Sequence, residues 1–463
     1  MDSDLYLKNY QSTFSVEPGT VVLFRSGKRM YVGDANYYND AGSIQASSAV
    51  FGAVDPVAGW NGIYGYYYTE PSLWDGCTIR DVASTAQGAA TINSSNAVLA
   101  FSYCLFTNNA TYGLYCNPGR NFSLANCTFT GNANTVALSA GDVQKLLAGN
   151  VYSGNTENRI HCLGGTISAA ATWTTQATPI RVSQHIYFDT DGLHRLEMLS
   201  GVELQFDSGR YFYVGNPNYS TQQPQLQATG VTFRASDPSA GWMGLYFYAY
   251  SAPSELLNCT LRDVAAASGG AVYIASNSQA TVQNCLFTAN ATYGLYCASG
   301  RNFALSGCSF SANAKTVGVY ACDVQKLLSG NVYSGNTENR ITCLGGLISA
   351  GATWTAQSTP ILVAENIKFD SDGAHILTIP YGTVLEFAAA KYFDIGDPNY
   401  PSQKPSLRAT GVTFRGAEPN PGYWTGLIFR VYGDPSLLSG CTIRDAGYGN
   451  VAAIRCYITN STI

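Results

Sequence analysis

The chain has 463 residues, of which 12% are charged and 46% apolar, with a formal net charge of −5. That apolar share excludes a disordered chain, and so small a negative charge gives no electrostatic reason to expect nucleic acid or an anionic membrane as partner. No apolar run approaches the ~20 residues that span a bilayer, and the opening MDSDLYLKNY lacks the basic start and apolar stretch of an export signal.

In chain order, the first distinctive stretch is GWNG from Gly59, followed by GIYGYYYTE from Gly62. With Ile63 inward, period-2 alternation places Tyr64, Tyr66 and Tyr68 together on the outer side of a strand. CTIRD then ends on Arg80-Asp81, read as a local ion pair at a strand end. From Cys104 a phrase of the form Cys-x-Phe-x-x-Asn repeats. It sets Asn109, Asn132 and Asn155 at 23-residue steps, with Cys104 and Cys127 in the same phase. Each Asn is expected where the chain turns, because Asn tolerates the left-handed conformation that tight turns need. DVQKLLAG from Asp142 carries the only hint of helical period, one turn at most.

The chain then begins again. DVQKLL, first met at Asp142, recurs at Asp323, and Trp60, Trp242 and Trp424 mark three copies, the last incomplete. We read repeats over 1–187, 188–368 and 369–463 of one continuous solenoid, as a piece of a longer array. The second copy repeats the ladder positions as Asn290, Asn313, Asn336, Cys285 and Cys308, and the tyrosine row as Tyr246, Tyr248 and Tyr250; the third adds Tyr432. These outer rings are candidate contacts for a glycan or a partner.

A 23-residue unit with one strand and one turn at fixed offsets cannot bury a core alone, so units must stack. Stacking at ~4.8 Å per coil superimposes like residues and lets Asn amides bond along the axis. The expectation is an all-β, parallel β-solenoid with about three short strands per coil, and roughly eight coils or ~38 Å per copy. Most of the thirteen cysteines are expected as reduced core thiols, although neighbours such as Cys104 and Cys127 fall within disulfide Cα range.

The phrases IPYGTVLEFAAAKYFDIG from Ile379, LRATGVTFRGAE from Leu407, YWTGLIFRVYG from Tyr423 and LLSGCTIRDAG from Leu437 resemble right-handed parallel β-helix repeat proteins of the pectate-lyase-like superfamily, in particular their large secreted surface members. The resemblance implies the right-handed β-helix over nearly the whole chain; it does not fix an activity. The enzyme branches carry clustered Asp ligands with a catalytic Arg, or paired Asp with Gly-His-Gly; this sequence has no Gly-His-Gly and no Asp-Asp pair. The four histidines, His161, His185, His194 and His375, are expected in turns or on the surface. Asp189, Asp191, Asp370 and Asp372 are the candidate metal ligands, for calcium. The full calcium loop is missing, and an Asx turn is the commoner reading of the spacing.

Features copied per repeat multiply a surface; they do not build one catalytic centre. The expectation is therefore a non-enzymatic structural or adhesive protein, extracellular or on the cell surface, without a required cofactor and with itself as the main partner in a filament or lattice. The competing expectation is a polysaccharide-binding or polysaccharide-degrading β-helix.

Overall fold

A computed structural model describes residues 1–457 except 9–11, 84, 86, 217, 249, 267–268 and 276–277. Only 3% of it is helical; the rest of the regular structure is a parallel β-solenoid of about 17 turns. It divides into two compact units. Unit 1 holds Met1–Phe212 and Gly230–Ser236; unit 2 holds Tyr213–Thr229 and Asp237–Ile463.

In unit 1 each coil contributes up to three strands. Leu5–Leu7, Met30–Val32, Ile63–Gly65, Gly88–Ile92, Tyr112–Cys116 and Asn134–Leu138 stack on the first face. Ser72–Asp75, Leu99–Ser102 and Phe122–Ala125 lie on the second, and Thr78–Arg80, Leu105–Thr107 and Thr128–Thr130 on the third. All these pairings are parallel and in register, so Leu105 sits on Thr128 and Phe106 on Phe129. The rings of Phe106 and Phe129 are stacked at 4.7 Å, and Phe129 on Tyr152 at 5.4 Å. Unit 2 repeats this with Phe287, Phe310 and Tyr333 at 4.7 and 5.2 Å. Each fully buried Phe removes enough apolar surface from water to contribute ~1.5–3 kcal/mol.

The expected Asn ladder is present. The Asn109 amide donates to Asn132 Oδ1 at 2.7 Å, Asn132 to Asn155 at 2.9 Å and Asn155 to Asn158 at 3.1 Å. The same oxygens accept the backbone N–H of the residue above, at 3.2, 3.0 and 2.8 Å. A second amide hydrogen of Asn132 reaches the Phe106 carbonyl at 2.9 Å. Asn109 and Asn132 are buried, so the ladder satisfies backbone groups at a turn that faces inward. Unit 2 has the same ladder at Asn290, Asn313 and Asn336, with amide bonds of 2.7, 2.9 and 3.0 Å. The left-handed residue is not the ladder Asn, as expected from sequence, but the one before it: Asn108, Gly131 and Gly154 in one copy, Ala289 and Ala312 in the other.

Two further expectations change. The even coil length is local: the first-face partners Leu5, Met30, Ile63, Ala90, Leu114 and Val136 follow one another along the chain at unequal intervals. Loops absorb the difference. The copy also does not contain a whole number of coils. A six-residue 3-10 turn, Ala140–Lys145, stands where one coil has no strand on its second face. Within unit 1, Val21–Phe24 and Val50–Ala53 pair on the third face, whereas their counterparts one copy later, Glu203–Phe206 and Thr232–Ala235, pair on the first. Within unit 2, Gly244–Phe247 and its counterpart Gly426–Phe429 likewise belong to different faces. A copy spans seven coils and a third, so its features advance by one face per copy.

The ladder predicts a large, local cost for one truncation. Asn132→Ala strands the Asn109 N–H groups and the Phe106 carbonyl, each an unmet buried group worth ~1–3 kcal/mol. We expect a loss of about 3 kcal/mol or more in chemical denaturation, against under ~0.5 kcal/mol for a surface control such as Val57→Ala.

Candidate functional site

The strand tyrosines are arranged along the axis. The strand after Gly62 ends at Gly65, so Tyr66 and Tyr68 leave it and the expected along-strand row breaks up. Tyr64 packs edge-on against Tyr66 at 5.2 Å and against Tyr31 at 6.2 Å. Tyr31 stacks on Tyr66 at 5.1 Å and on Tyr6 at 4.8 Å. Tyr68 turns against Tyr67 and Tyr38. In unit 2, Tyr246 stacks on Tyr273 at 5.0 Å, and Tyr273 on Tyr296 at 5.6 Å with planes 7° apart. Tyr248 joins Tyr246 and Tyr213 at 6.1 and 5.2 Å. Tyr250 stands at a left-handed turn, with φ of 67°, outside this ladder. Tyr432 is exposed in the turn after Gly426–Phe429. Tyr31, Tyr213, Tyr273 and Tyr296 were not singled out from sequence, because the residue above a ring is one coil away in the chain. Ring faces in such a stack cover each other. In the stacked pairs this leaves less flat surface for a sugar ring.

The Arg-Asp doublets form a structural corner, as expected. Arg80–Asp81 and Arg262–Asp263 pair at 2.8 and 2.9 Å, and Arg444–Asp445 at 3.7 Å. Asp81, Asp263 and Asp445 all have left-handed φ, between 60° and 63°. In each corner a buried Trp indole donates to the Arg carbonyl at 2.8 Å, from Trp60, Trp242 and Trp424.

Of the candidate metal ligands, Asp370 Oδ2 lies 2.7 Å from Lys368 Nζ, which also lies 2.5 Å from Asp397 Oδ2. An ammonium thus sits between two carboxylates where a cation was expected. Asp189 lies at the end of Ile186–Phe188 in the equivalent position, and Asp191 and Asp372 are exposed in the turns that follow. Among the described residues no group of three His, Cys, Asp or Glu side chains is placed to hold a metal.

All thirteen cysteines are free thiols, and Cys104, Cys127, Cys285 and Cys308 are buried. In-register parallel strands hold equivalent Cβ atoms ~4.8 Å apart, beyond the ~3.5–4.5 Å of a disulfide, which keeps the columns reduced. Burial pushes the Cys162 and Cys343 thiols up to about 12. Of the thirteen, Cys456 alone is exposed.

One polar cluster has no full counterpart. In unit 1 the Tyr112 hydroxyl meets His161 Nδ1 at 3.0 Å, and His161 Nε2 lies 3.1 Å from Glu157 Oε2, close but poorly aligned for a hydrogen bond. Arg159 and Arg181 also hold Glu157, at 2.6 and 3.2 Å. Arg181 makes a two-pronged contact with Asp207 at 2.9 and 3.1 Å, and Arg159 reaches Gln205 and Ser236 at 3.1 and 2.7 Å. In unit 2, Thr342 stands for His161 and Leu362 for Arg181, while Arg340 keeps contacts with Glu338 and Glu386. His161 is therefore buried in a network, contrary to the surface or turn position expected. Burial lowers its pKa, with Arg181 and Arg159 adding to the effect and Glu157 opposing it. Burial raises Glu157, but His161, Arg159 and Arg181 outweigh it and the carboxyl is held below its ordinary range. Both guanidiniums are engaged by several protein acceptors.

Residues 227–366 match the family model described as a right handed beta helix region. The fold of the chain is a right-handed parallel β-helix. No curated protein matches it. The matched stretch runs from the end of the Gln222–Thr229 strand to the loop before Ile367, and its described residues form β-helix coils with one 3-10 turn, Ala321–Lys326.

The His161 network makes the stability of this β-helix depend on pH around Ile160–Cys162. A depressed imidazole binds its proton more weakly folded than unfolded, so stability falls as pH drops below the ordinary 6.5 of His161. Glu157 acts in the same direction below 4.5. Hydrogen exchange, corrected for intrinsic rates, should show Ile160–Cys162 losing protection between pH 6.5 and 5. Ile341–Cys343 should hold, and His161→Thr should remove the difference. For the thiols, native protein should react at about one site with a water-soluble disulfide reagent, and denatured protein at all thirteen.

Proposed function

We propose that the protein is a non-enzymatic structural and adhesive element outside the cell, one that associates with itself into filaments or sheets. The observation that carries this reading is the copying of the scaffold. Amide ladders of 2.7 and 2.9 Å recur in both copies, and the Trp-Arg-Asp corner occurs three times. An array that keeps its frame and its corners alike serves length and repeated contact, and a single catalytic centre gains nothing from that copying. Thirteen thiols in an exported protein are reconciled by the burial of ten of them, which resists bridging.

The β-helix family includes enzymes as well as non-enzymes. The Tyr112–His161–Glu157 cluster favours a second reading, a polysaccharide-degrading enzyme, because it is the part of unit 1 that is not copied. Against it stands the commitment of Arg159 and Arg181 to protein partners.

Electron microscopy of purified protein across a concentration series should show filaments or sheets. Single particles at every concentration, together with new reducing or unsaturated ends after incubation with pectin, alginate or chitin, would replace this reading with the enzymatic one.

A further inference from the structure

A short motif in every copy is left unused by the scaffold. Asp34-Ala-Asn36-Tyr37, Asn216-Pro-Asn218-Tyr219 and Asp397-Pro-Asn399-Tyr400 occupy the same place in the three copies. The first side chain of each closes an Asx turn: Asn36 N–H donates to Asp34 Oδ1 at 2.8 Å, Asn218 N–H to Asn216 Oδ1 at 2.9 Å and Asn399 N–H to Asp397 Oδ1 at 2.8 Å. The turn then presents a tyrosine to solvent. Tyr37, Tyr219 and Tyr400 are 65%, 58% and 56% exposed, and among the described residues none stacks on another ring. These rings differ from the ladder tyrosines in being exposed and outside any ring stack among the described residues. An exposed Asn side chain stands beside each.

We propose that these three turns are binding sites for the pyranose rings of an uncharged polysaccharide, a deepening of the adhesive reading above. An exposed aromatic ring next to an amide offers a stacking surface and a hydrogen-bonding group to a sugar ring together. The polymer is uncharged because the cations at the turns are neutralised within the protein: Lys8 by Asp34 at 3.8 Å, Lys368 by Asp397 and Asp370. One weak contact per copy suits a ligand that offers many chains at one surface, since a particle can engage several turns at once.

The geometry also sets what such binding does. Within unit 2, Val214 pairs with the Gly244–Phe247 face through Tyr248 N–H at 2.8 Å, so the turn of Tyr219 leaves from that face. The turn of Tyr400 follows Tyr392–Ile395, which pairs with Gly426–Phe429 on a different face. A straight polymer lying along one face reaches one of these tyrosines only. Occupying both takes two polymer chains, so the unit bridges them.

The test is retention of the full chain on microcrystalline cellulose and on chitin particles, with alginate beads as the charged comparison. Wild type is expected on at least one of the neutral particles and not on alginate. Each of Tyr37→Ala, Tyr219→Ala and Tyr400→Ala should weaken retention about five- to tenfold, as loss of a central aromatic contact does. The triple variant should fall to background with an unchanged melting temperature, and Tyr→Phe at all three should retain binding. Equal retention of wild type and triple variant overturns the proposal, as does retention on alginate alone or on none of the three. Microscopy of the triple variant separates the two ideas: filaments without retention leave the structural reading standing and remove this one.

Discussion

Everything in this molecule depends on backbone hydrogen bonds that run from coil to coil in parallel and in register. That constraint brings residue i against its equivalent one coil later, so the energetics become those of like on like. Like on like is favourable for few side chains. Asn is one, because its amide donates on one side and accepts on the other, as in the 2.7 and 2.9 Å bonds from Asn109 through Asn132 to Asn155. Aromatic rings are another, because parallel planes at the coil spacing are close to van der Waals contact, as in Phe106 on Phe129 at 4.7 Å. Charges are not, since like charges directly opposite repel, and this chain carries few to stack. Where charges do meet, as around Glu157, they alternate in sign.

The same constraint separates what a reader of the sequence can see from what stays hidden. Asn109, Asn132 and Asn155 are visible because three coils happen to have equal length, and equal length turns stacking into a period. Leu5, Met30 and Ile63 stack equally well, yet their unequal spacing along the chain leaves no period to find. The strand tyrosines were legible as tyrosines and not as ladders. Tyr246 and Tyr273 meet only because the coil between them closes, and an alternating pattern along one strand says nothing of that. The His161 network is further from view: Arg159 bonds to Ser236 from more than two coils away in the chain, and no local pattern joins them. The one-residue error at the turn has a local cause. Asn is the natural candidate for a left-handed residue, but here its side chain is needed for the ladder, and the neighbour before it takes the strained conformation even when it is Ala289 or Ala312.

The phase of the copies was hidden for a simpler reason. Repeat length counts residues, whereas the face on which a residue falls depends on how many strand positions the copy contains. The 3-10 turn Ala140–Lys145 takes the place of a strand without interrupting the sequence repeat, and the count becomes seven coils and a third. A copy with a whole number of coils would align its surface features along one side and suit a single long ligand. A third of a coil over distributes them around the axis.

That distribution bears on which surface features can act together. The buried ladders and corners tolerate any phase, because they need only the coil above and the coil below. An outward group that needed its copies on one side would lose that alignment within a single repeat. Outward groups that persist through all three copies include the Asx-turn tyrosines, each self-contained on its own turn and dependent on no neighbour in the next copy. A surface of independent, differently directed contacts is what the proposed role in joining several partners calls for. A groove enzyme, by contrast, needs subsites aligned along one face, and the copying in this chain works against that alignment.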